Sequence, residues 1–537
     1  MTTKISRRFL LAAAFAAGVS ACAPRGPAAP PPTPLPGAPA PVAVAPAPLP
    51  PANAALPAVP HVTGPLEIKV VYPTAGQLIE AKDSNFIFGS VGSGDATLTI
   101  NGVPTPVWPN GAFMGWLPVP PAGLSRYDLV ATSGADTTRL SHPVKLQPAV
   151  PVTPAPGDTM QTLSPAQYAV LIGPATVAND TDRVVTAYLP TGGIRRWFLI
   201  PGTIVKVMSL KGNDAFVQLD SAQTVRIVKG DLNILPPTYA PVALSAKPYR
   251  IAPAQDAVDF VIPVSDRPAY LVDETDSTLT LTLYSVAGQV QSVVPLPAPS
   301  YVSSVASEVS GADMRYTFSL RGPAYGYQPL WQDSTFTLRV RRPPAIDSAD
   351  PLRGLTIAID PGHPPIGATG PTGLWEPVVT LAVGLKVRDM LQARGVNVLM
   401  TRTTPDPVDL NIRPTMARRA NAHALVSIHL NAIPDGRNPF RSEGTTTYYY
   451  WMHSAPLANA VHQSLLPELV LPDKGVKREN FALVRPTWMP AILCEGAFII
   501  MPDQEAALRT PEYQERYARG IVNGLDKYFR SLGQVIH

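Results

Sequence analysis

Between Ala23 and Pro60 the chain is almost entirely proline and alanine, and Arg25 is its only charge. Proline fixes φ and removes a backbone donor, and such a stretch lacks the apolar bulk to build a core. It is expected to run as extended polyproline II, reaching on the order of 100 Å at about 3.1 Å per residue. Folded modules on its far side are thereby held away from whatever precedes it. Proline is frequent elsewhere too, 64 of 537 residues. That excess excludes one compact helical body and points to β-modules separated by breaks, and the length suggests roughly three or four domains.

Ahead of the spacer, Lys4, Arg7 and Arg8 precede an apolar run opened by Phe9-Leu10-Leu11, and Val19-Ser20-Ala21-Cys22 closes it. A basic start, a short apolar run and small residues before a cut site make residues 1–21 a secretory signal, and its apolar run of about 12 residues is too short to span a bilayer. Val-Ser-Ala-Cys resembles the lipobox of bacterial lipoproteins, which implies that Cys22 becomes the lipidated first residue and a membrane anchor. Arg7-Arg8 before Phe9-Leu10 also resembles a twin-arginine signal. The expected location is outside the cytoplasm, anchored by lipid and facing periplasm or cell wall. Without the three leading bases the chain carries 40 bases against 39 acids. No basic field remains to draw nucleic acid. With Cys22 acylated, Cys494 has no partner for a disulfide.

Beyond the lipidated cysteine and linker (22–62), three β-rich stretches follow. Residues 63–150 alternate as in Leu66–Val71 and Thr97–Ile100, with hairpin turns at Asn101-Gly102 and Asn110-Gly111, and read as an Ig-like β-sandwich. After a proline-rich break at 148–156, residues 160–240 place Arg196–Val207 and Ala215–Leu219 about Lys211-Gly212-Asn213-Asp214, a pattern resembling SH3-like barrels. Residues 245–345 hold Leu279–Leu283 and Thr335–Val340 and resemble the envelope-targeting β-domains found ahead of some wall amidases. The acid run Asp273-Glu274-Thr275-Asp276 is expected to be a solvated turn. These modules are expected to space the chain or to reach wall and envelope partners.

After Pro351 the pattern changes. Strands at Leu355–Ile359, Val396–Met400 and Ala424–His429 alternate with helices at Pro377–Ala393 and Arg413–Ala422, which predicts a three-layer α/β domain over 352–533 with a mixed sheet. A strand at Thr445–Tyr450, a helix at Leu457–Leu466, a loop at Pro472–Asn480 and a closing helix at Pro511–Phe529 complete it.

In this domain His363 follows a strand, Glu376 falls at a helix start before Pro377, and His429 ends a strand. Two imidazoles and a carboxylate with a fourth place open are a ligand set for catalytic zinc. Glu495 ends the apolar strand Ala491–Cys494, where a carboxylate is costly without a partner or a task. Taken singly, each has a plain structural explanation: a core histidine, a helix cap, a salt-bridge acid.

The order of motifs changes that balance. Asp360-Pro361-Gly362-His363, Gly373 and Glu376, Thr401-Arg402, Ala420-Asn421, Ser427–Ala432, and Pro490–Phe498 with Glu495-Gly496-Ala497 resemble the zinc-dependent N-acetylmuramoyl-L-alanine amidases of type 3. The resemblance covers about 355–530. It implies that His363, Glu376 and His429 bind Zn2+, that Glu495 is the catalytic carboxylate, and that the reaction hydrolyses the amide between the lactyl group of N-acetylmuramic acid and L-alanine in peptidoglycan. Asp360 is expected to fix the turn or support a ligand. Asn431, Arg485 and Tyr448, near the ligand-bearing strands, are expected to contact substrate. Pro364-Pro365, Ile366, Trp375, Pro377 and Ile499-Ile500-Met501 depart from the family pattern and point to altered cleft walls. The segment between His429 and Glu495 leaves little room for an extra helix, which predicts an open cleft. Two other readings stay open: a peptidoglycan-binding lipoprotein that does not cut, and a zinc peptidase acting on stem peptides.

Overall fold

The computed structural model describes residues 56–121, 123–146, 159–173 and 184–536. The signal segment, Cys22, most of the Pro/Ala spacer and the break at 148–156 lie outside the described residues. No helix among the described residues is long and apolar enough to cross a membrane.

The first β-module pairs a three-stranded sheet (Lys69–Tyr72, Ser84–Ser90, Ala112–Pro118) with a four-stranded one (Val103–Thr105, Thr97–Ile100, Arg126–Ser133, Asp136–Pro143). Ile87, Leu98, Phe113, Tyr127 and Leu129 fill the space between them. The run Phe86-Ile87-Phe88 is apolar at successive positions because both faces of its strand are covered: Ile87 faces this core, whereas Phe86 and Phe88 join the core of the C-terminal domain. Asn101-Gly102 makes the expected two-residue hairpin, both residues at positive φ, between the partners Ile100 and Val103.

Residues 161–234 form one seven-stranded antiparallel sheet, and residues 250–341 form sheets of four and five strands. Buried residues of both regions make one continuous core, in which Trp197 donates to the Tyr284 hydroxyl at 3.1 Å. The acid run is not a solvated turn throughout: Glu274 ends the strand Tyr270–Glu274, and its side chain is 4% exposed against His453.

The C-terminal domain is a six-stranded mixed sheet. In chain order its elements are β1 (Thr356–Pro361), α1 (Glu376–Gln392), β2 (Asn397–Met400), α2 (Ile412–Arg419), β3 (Ala424–Asn431), β4 (Thr445–Tyr449), α3 (Ala455–Leu469), β5 (Asp473–Arg478), β6 (Ala491–Phe498), α4 (Pro502–Leu508) and α5 (Pro511–Ile536). Strand order is β2-β1-β3-β6-β4-β5, parallel except where β4 meets β6. Residues 472–480 are not wholly loop, for Asp473–Arg478 pairs with β4 as a charged edge strand.

The layers are unequal. Ile357, Ile359, Val426, Ile428, Ile492 and Cys494 face α1, α3 and α5. On the other face Ala358, Leu425 and Ala491 meet Ala417 of α2 and Leu483 and Met489 of the segment before β6. The third β-module closes this second side: buried Arg341 donates to the carbonyls of Ala422 (2.6 Å), Asn421 (2.9 Å) and Trp488 (3.2 Å). The long helix between His429 and Glu495 is α3, which lies in the first layer with α5.

Candidate functional site

Strand alternation assigns side chains to faces. In β3, Val426, Ile428 and Leu430 enter the helical layer, so Ser427 and His429 point the opposite way. In β6, Cys494 enters the helical layer and Glu495 points with His429, its direct partner in the adjacent parallel strand. Neighbouring strands lie about 4.8 Å apart, so register alone brings Glu495 beside His429.

Glu376 comes from the first turn of α1, where Pro377 suits a helix start. Its Oε1 lies 3.2 Å from His363 Nε2 and 3.2 Å from His429 Nδ1. The same oxygen accepts the Leu430 amide at 3.0 Å, and Oε2 accepts the Ala368 amide at 2.9 Å. Burial would raise the Glu376 pKa, but hydrogen bonds and charge from His363 and His429 win and hold it far below the ordinary carboxylate range. One donor atom from each of His363, Glu376 and His429 lies within 4.8 Å of the others. Such a set of two imidazoles and a carboxylate can hold a metal ion.

Glu495 differs. Its Oε2 is buried without a hydrogen-bond partner in the described structure. Burial, then the charge of Glu376, pushes its pKa well above 4.5. An acid kept this way beside a donor triad is suited to taking and returning a proton.

The turn that presents His363 is held from beneath. Asp360 is fully buried and accepts from Thr401 Oγ1, from Ser427 Oγ at 2.6 Å and from Arg413 Nη1 at 3.1 Å. Arg413 also donates to the His363 carbonyl at 2.9 Å, and Arg402 donates to those of Pro361 (2.8 Å) and Gly362 (3.0 Å). His363 itself has φ of 59°, a conformation that a non-glycine residue keeps only when its surroundings demand it. The expectation that Asp360 fixes the turn thus gains its partners. Arg413 was not legible as one of them, since an arginine on a short helix usually reads as surface.

Two further supports escaped sequence reasoning. The Tyr517 hydroxyl on α5 donates to the carbonyls of His429 (3.1 Å) and Cys494 (2.9 Å), bridging the strands that carry His429 and Glu495. Glu505 on α4 is fully buried and accepts the amides of Thr372 and Leu374, both at about 3.0 Å, in the loop that leads to Glu376. A tyrosine and a glutamate buried on terminal helices are the signals that could have pointed to them.

Of the residues expected to contact substrate, Tyr448 is half-buried and its pKa is raised by burial and then by Glu495, which places it within the field of that carboxylate. Its ring packs edge-on against Phe481 at 5.1 Å. Asn431 follows His429 across an irregularity in the β3–β6 register. Arg485 lies elsewhere: it lines a cavity between this domain and the β-modules and donates to Asn480 Oδ1 at 2.6 Å.

Fold and donor set define the class first: a mixed α/β domain in which β3 and β6, with a helix start and the turn after β1, gather a metal-competent triad and a buried acid. Residues 357–527 match the family N-acetylmuramoyl-L-alanine amidase. The chain is 35% identical over 180 residues to the sporulation-specific N-acetylmuramoyl-L-alanine amidase of Bacillus subtilis, covering 32% of this chain and 68% of that one. It is 32% identical over 202 residues to the germination-specific amidase of the same organism, covering 34% and 83%. It is 33% identical over 207 residues to the uncharacterized protein YqiI, also of B. subtilis, covering 37% and 98%. The chain belongs to the N-acetylmuramoyl-L-alanine amidase family.

Proposed function

We propose that this protein is a zinc-dependent peptidoglycan amidase in which His363, Glu376 and His429 hold the metal and Glu495 is the general base and acid. The supporting observation is the convergence of both imidazoles on one Glu376 oxygen, with Glu495 in register beside His429 and one carboxylate oxygen lacking a partner. The donor set fits zinc, which favours two or three nitrogen and carboxylate ligands with a position left open for catalysis. Zinc bound there supplies a Lewis acid that polarises the amide carbonyl and makes water acidic enough to attack near neutral pH.

The chain's own residues supply the rest. Glu495 takes a proton from the attacking water and returns it to the alanine nitrogen as the lactyl amide breaks. Its raised pKa suits this role, because a carboxylate that binds a proton more tightly is the stronger base towards water and can carry that proton to the nitrogen. Tyr448 and Asn431 bind the groups flanking the amide. The Asp360–Arg413 pair keeps His363 in its turn. We also propose that Cys22 carries a lipid, that the Pro/Ala segment is its tether, and that residues 63–150, 160–240 and 245–345 are spacing or envelope-binding modules ahead of a catalytic domain at 352–533.

The test uses the full chain on isolated peptidoglycan, with Glu495→Gln alongside and a chelator arm restored by zinc. Mass spectrometry should find new L-alanine amino ends only with zinc and Glu495. New ends inside the stem peptide would instead mark a peptidase, and a wall that is bound but uncut would mark a binding protein.

A further inference from the structure

A cavity of about 350 Å³ lies between the C-terminal domain and the second and third β-modules. Its size falls within the range of small-ligand sites. On one side it meets Asn411, Pro414, Thr415 and Arg418, whose spacing makes them one stripe of α2 and its start. The adjoining wall is the segment Ala482–Trp488. The triad itself does not line the cavity, but a neighbour of each wall reaches its surroundings. Arg413, two residues after Asn411, donates to the His363 carbonyl. Phe481, just before Ala482, meets the Tyr448 ring edge-on, and Tyr448 lies within the field of Glu495.

The opposite wall comes from the β-modules. Arg196, Phe198, Tyr270 and Tyr327 belong to it, and Trp451 closes the corner beside Phe198 at 5.3 Å between rings. Three guanidinium groups therefore border the cavity, those of Arg196, Arg418 and Arg485. They stand against Asp231 in the lining and Asp273, which accepts from Arg196 at 2.8 Å. The arginines outnumber the two aspartates by one, and with the aromatic faces this suits a single carboxylate on an incoming chain.

We propose that this cavity is a second substrate site, built jointly by the β-modules and the amidase domain, that takes the distal, carboxylate-bearing part of a stem peptide whose first amide sits at Glu495. The assignment rests on the amidase reading. The eight residues of α2 rise about 12 Å along the helix. Three to four residues of extended peptide, at about 3.3–3.6 Å each, cover that span. The β-modules then help choose which peptides are cut, in addition to any part in targeting.

The experiment uses the full chain carrying Glu495→Gln, titrated with a stem tetrapeptide and with the same peptide amidated at its carboxylates. Tryptophan fluorescence reports binding, since Trp451 and Trp488 line the cavity. The acidic peptide should bind more tightly, and Arg485→Gln should weaken it about tenfold while barely moving the amidated one. Gln328→Trp, which fills the cavity from the β-module side, should abolish binding of both. In the active chain, Gln328→Trp should lower the ratio of kcat/KM for muramoyl tetrapeptide over muramoyl-alanine about tenfold. Undiminished binding to the Gln328→Trp chain, or an unmoved ratio, overturns the second site. If neither substrate is cut by any form, the amidase reading falls, and the fluorescence titration still decides the cavity on its own.

Discussion

Glu274 of the third β-module and His453 of the C-terminal domain form an ion pair shut off from solvent, with Oε2 2.8 Å from Nδ1 and side chains 4% and 0% exposed. Glu274 also accepts the Met452 amide at 2.5 Å. Burial would raise its pKa, but His453's charge and hydrogen bond and the two backbone amides hold it below 4.5. A depressed carboxylate pKa contributes stability that is present above the unfolded value and is lost as pH falls through the folded one. His423, in the same interface region, is pushed down from 6.5 to about 4 by burial and then by Arg341. A base with a depressed pKa also loses stability as pH falls from 6.5 towards 4, because the unfolded chain binds the proton more readily. The midpoint of thermal unfolding should therefore drop between pH 6.5 and 4 and go on dropping below 4.5. Glu274→Ala should cost about 3 kcal/mol at pH 7, because it leaves His453 buried without its partner. A midpoint insensitive to pH across that window in the native chain would sink this account.

That pair also marks where sequence reading stops. Its partners lie 179 positions apart, and nothing local in Asp273-Glu274-Thr275-Asp276 distinguishes a latch from a solvated turn. The edge strand Asp473–Arg478 was illegible for another reason: Asp473, Lys474, Lys477 and Arg478 give it the charge pattern of a loop, which is how exposed edges avoid pairing with other chains. By contrast His429 and Glu495 could be placed on their strands, although β3 runs on to Asn431 and β6 to Phe498, so Glu495 lies within its strand and not at its end. Their strands are apolar runs buried on both faces, and a polar residue ending such a run stands out. Glu376 was visible through Pro377, which fixes the helix start. The supporting shell of Arg413, Tyr517 and Glu505 depends on which helix packs where, and that is decided only by the whole fold.

Asp435 ties the first β-module to the loop that follows Asn431. It accepts from the Tyr72 hydroxyl, from Asn85 Nδ2 at 3.0 Å and from the Glu80 amide at 2.9 Å, and Asn85 in turn accepts the Gly436 amide at 3.0 Å. Removing the carboxylate strands three donors, at about 1–3 kcal/mol for each one left buried. Asp435→Ala should lower activity on peptidoglycan and speed hydrogen exchange in residues 432–438. Asp435→Asn, which retains one carbonyl acceptor, should restore part of both. Equal exchange rates in native and Ala chains would show that the module does not hold the loop.

Tyr517→Phe removes one hydroxyl and leaves the carbonyls of His429 and Cys494 short of a donor. The ring stays, so packing changes little and the stability cost should be about 1–2 kcal/mol. The larger effect is expected on kcat, because the hydroxyl fixes the spacing of the strands bearing His429 and Glu495. A kcat loss with KM nearly constant is the expected split, and a change confined to KM would argue against a positioning role.

Gly362 has no room for a side chain. A Cβ there would lie 2.4–2.7 Å from atoms of the His429 ring, closer than carbon and nitrogen tolerate. The ring cannot swing away freely, since Nδ1 is held near Glu376 and its edge meets the His363 ring with centroids 4.8 Å apart. Gly362→Ala must therefore displace His429 or the His363 turn, and either movement spoils the donor triad. Because the strain falls at the C-terminal ends of β1 and β3 and not in the packed layer of α1, α3 and α5, the chain should still fold. The expected outcome is a zinc affinity at least tenfold lower by competition with a chelating dye, as when groups orienting a ligand are lost. Hydrolysis should fall in parallel and recover partly at high zinc. Full zinc affinity in the alanine variant would mean that His429 is not a ligand or that the turn is softer than its Asp360–Arg413 anchor implies.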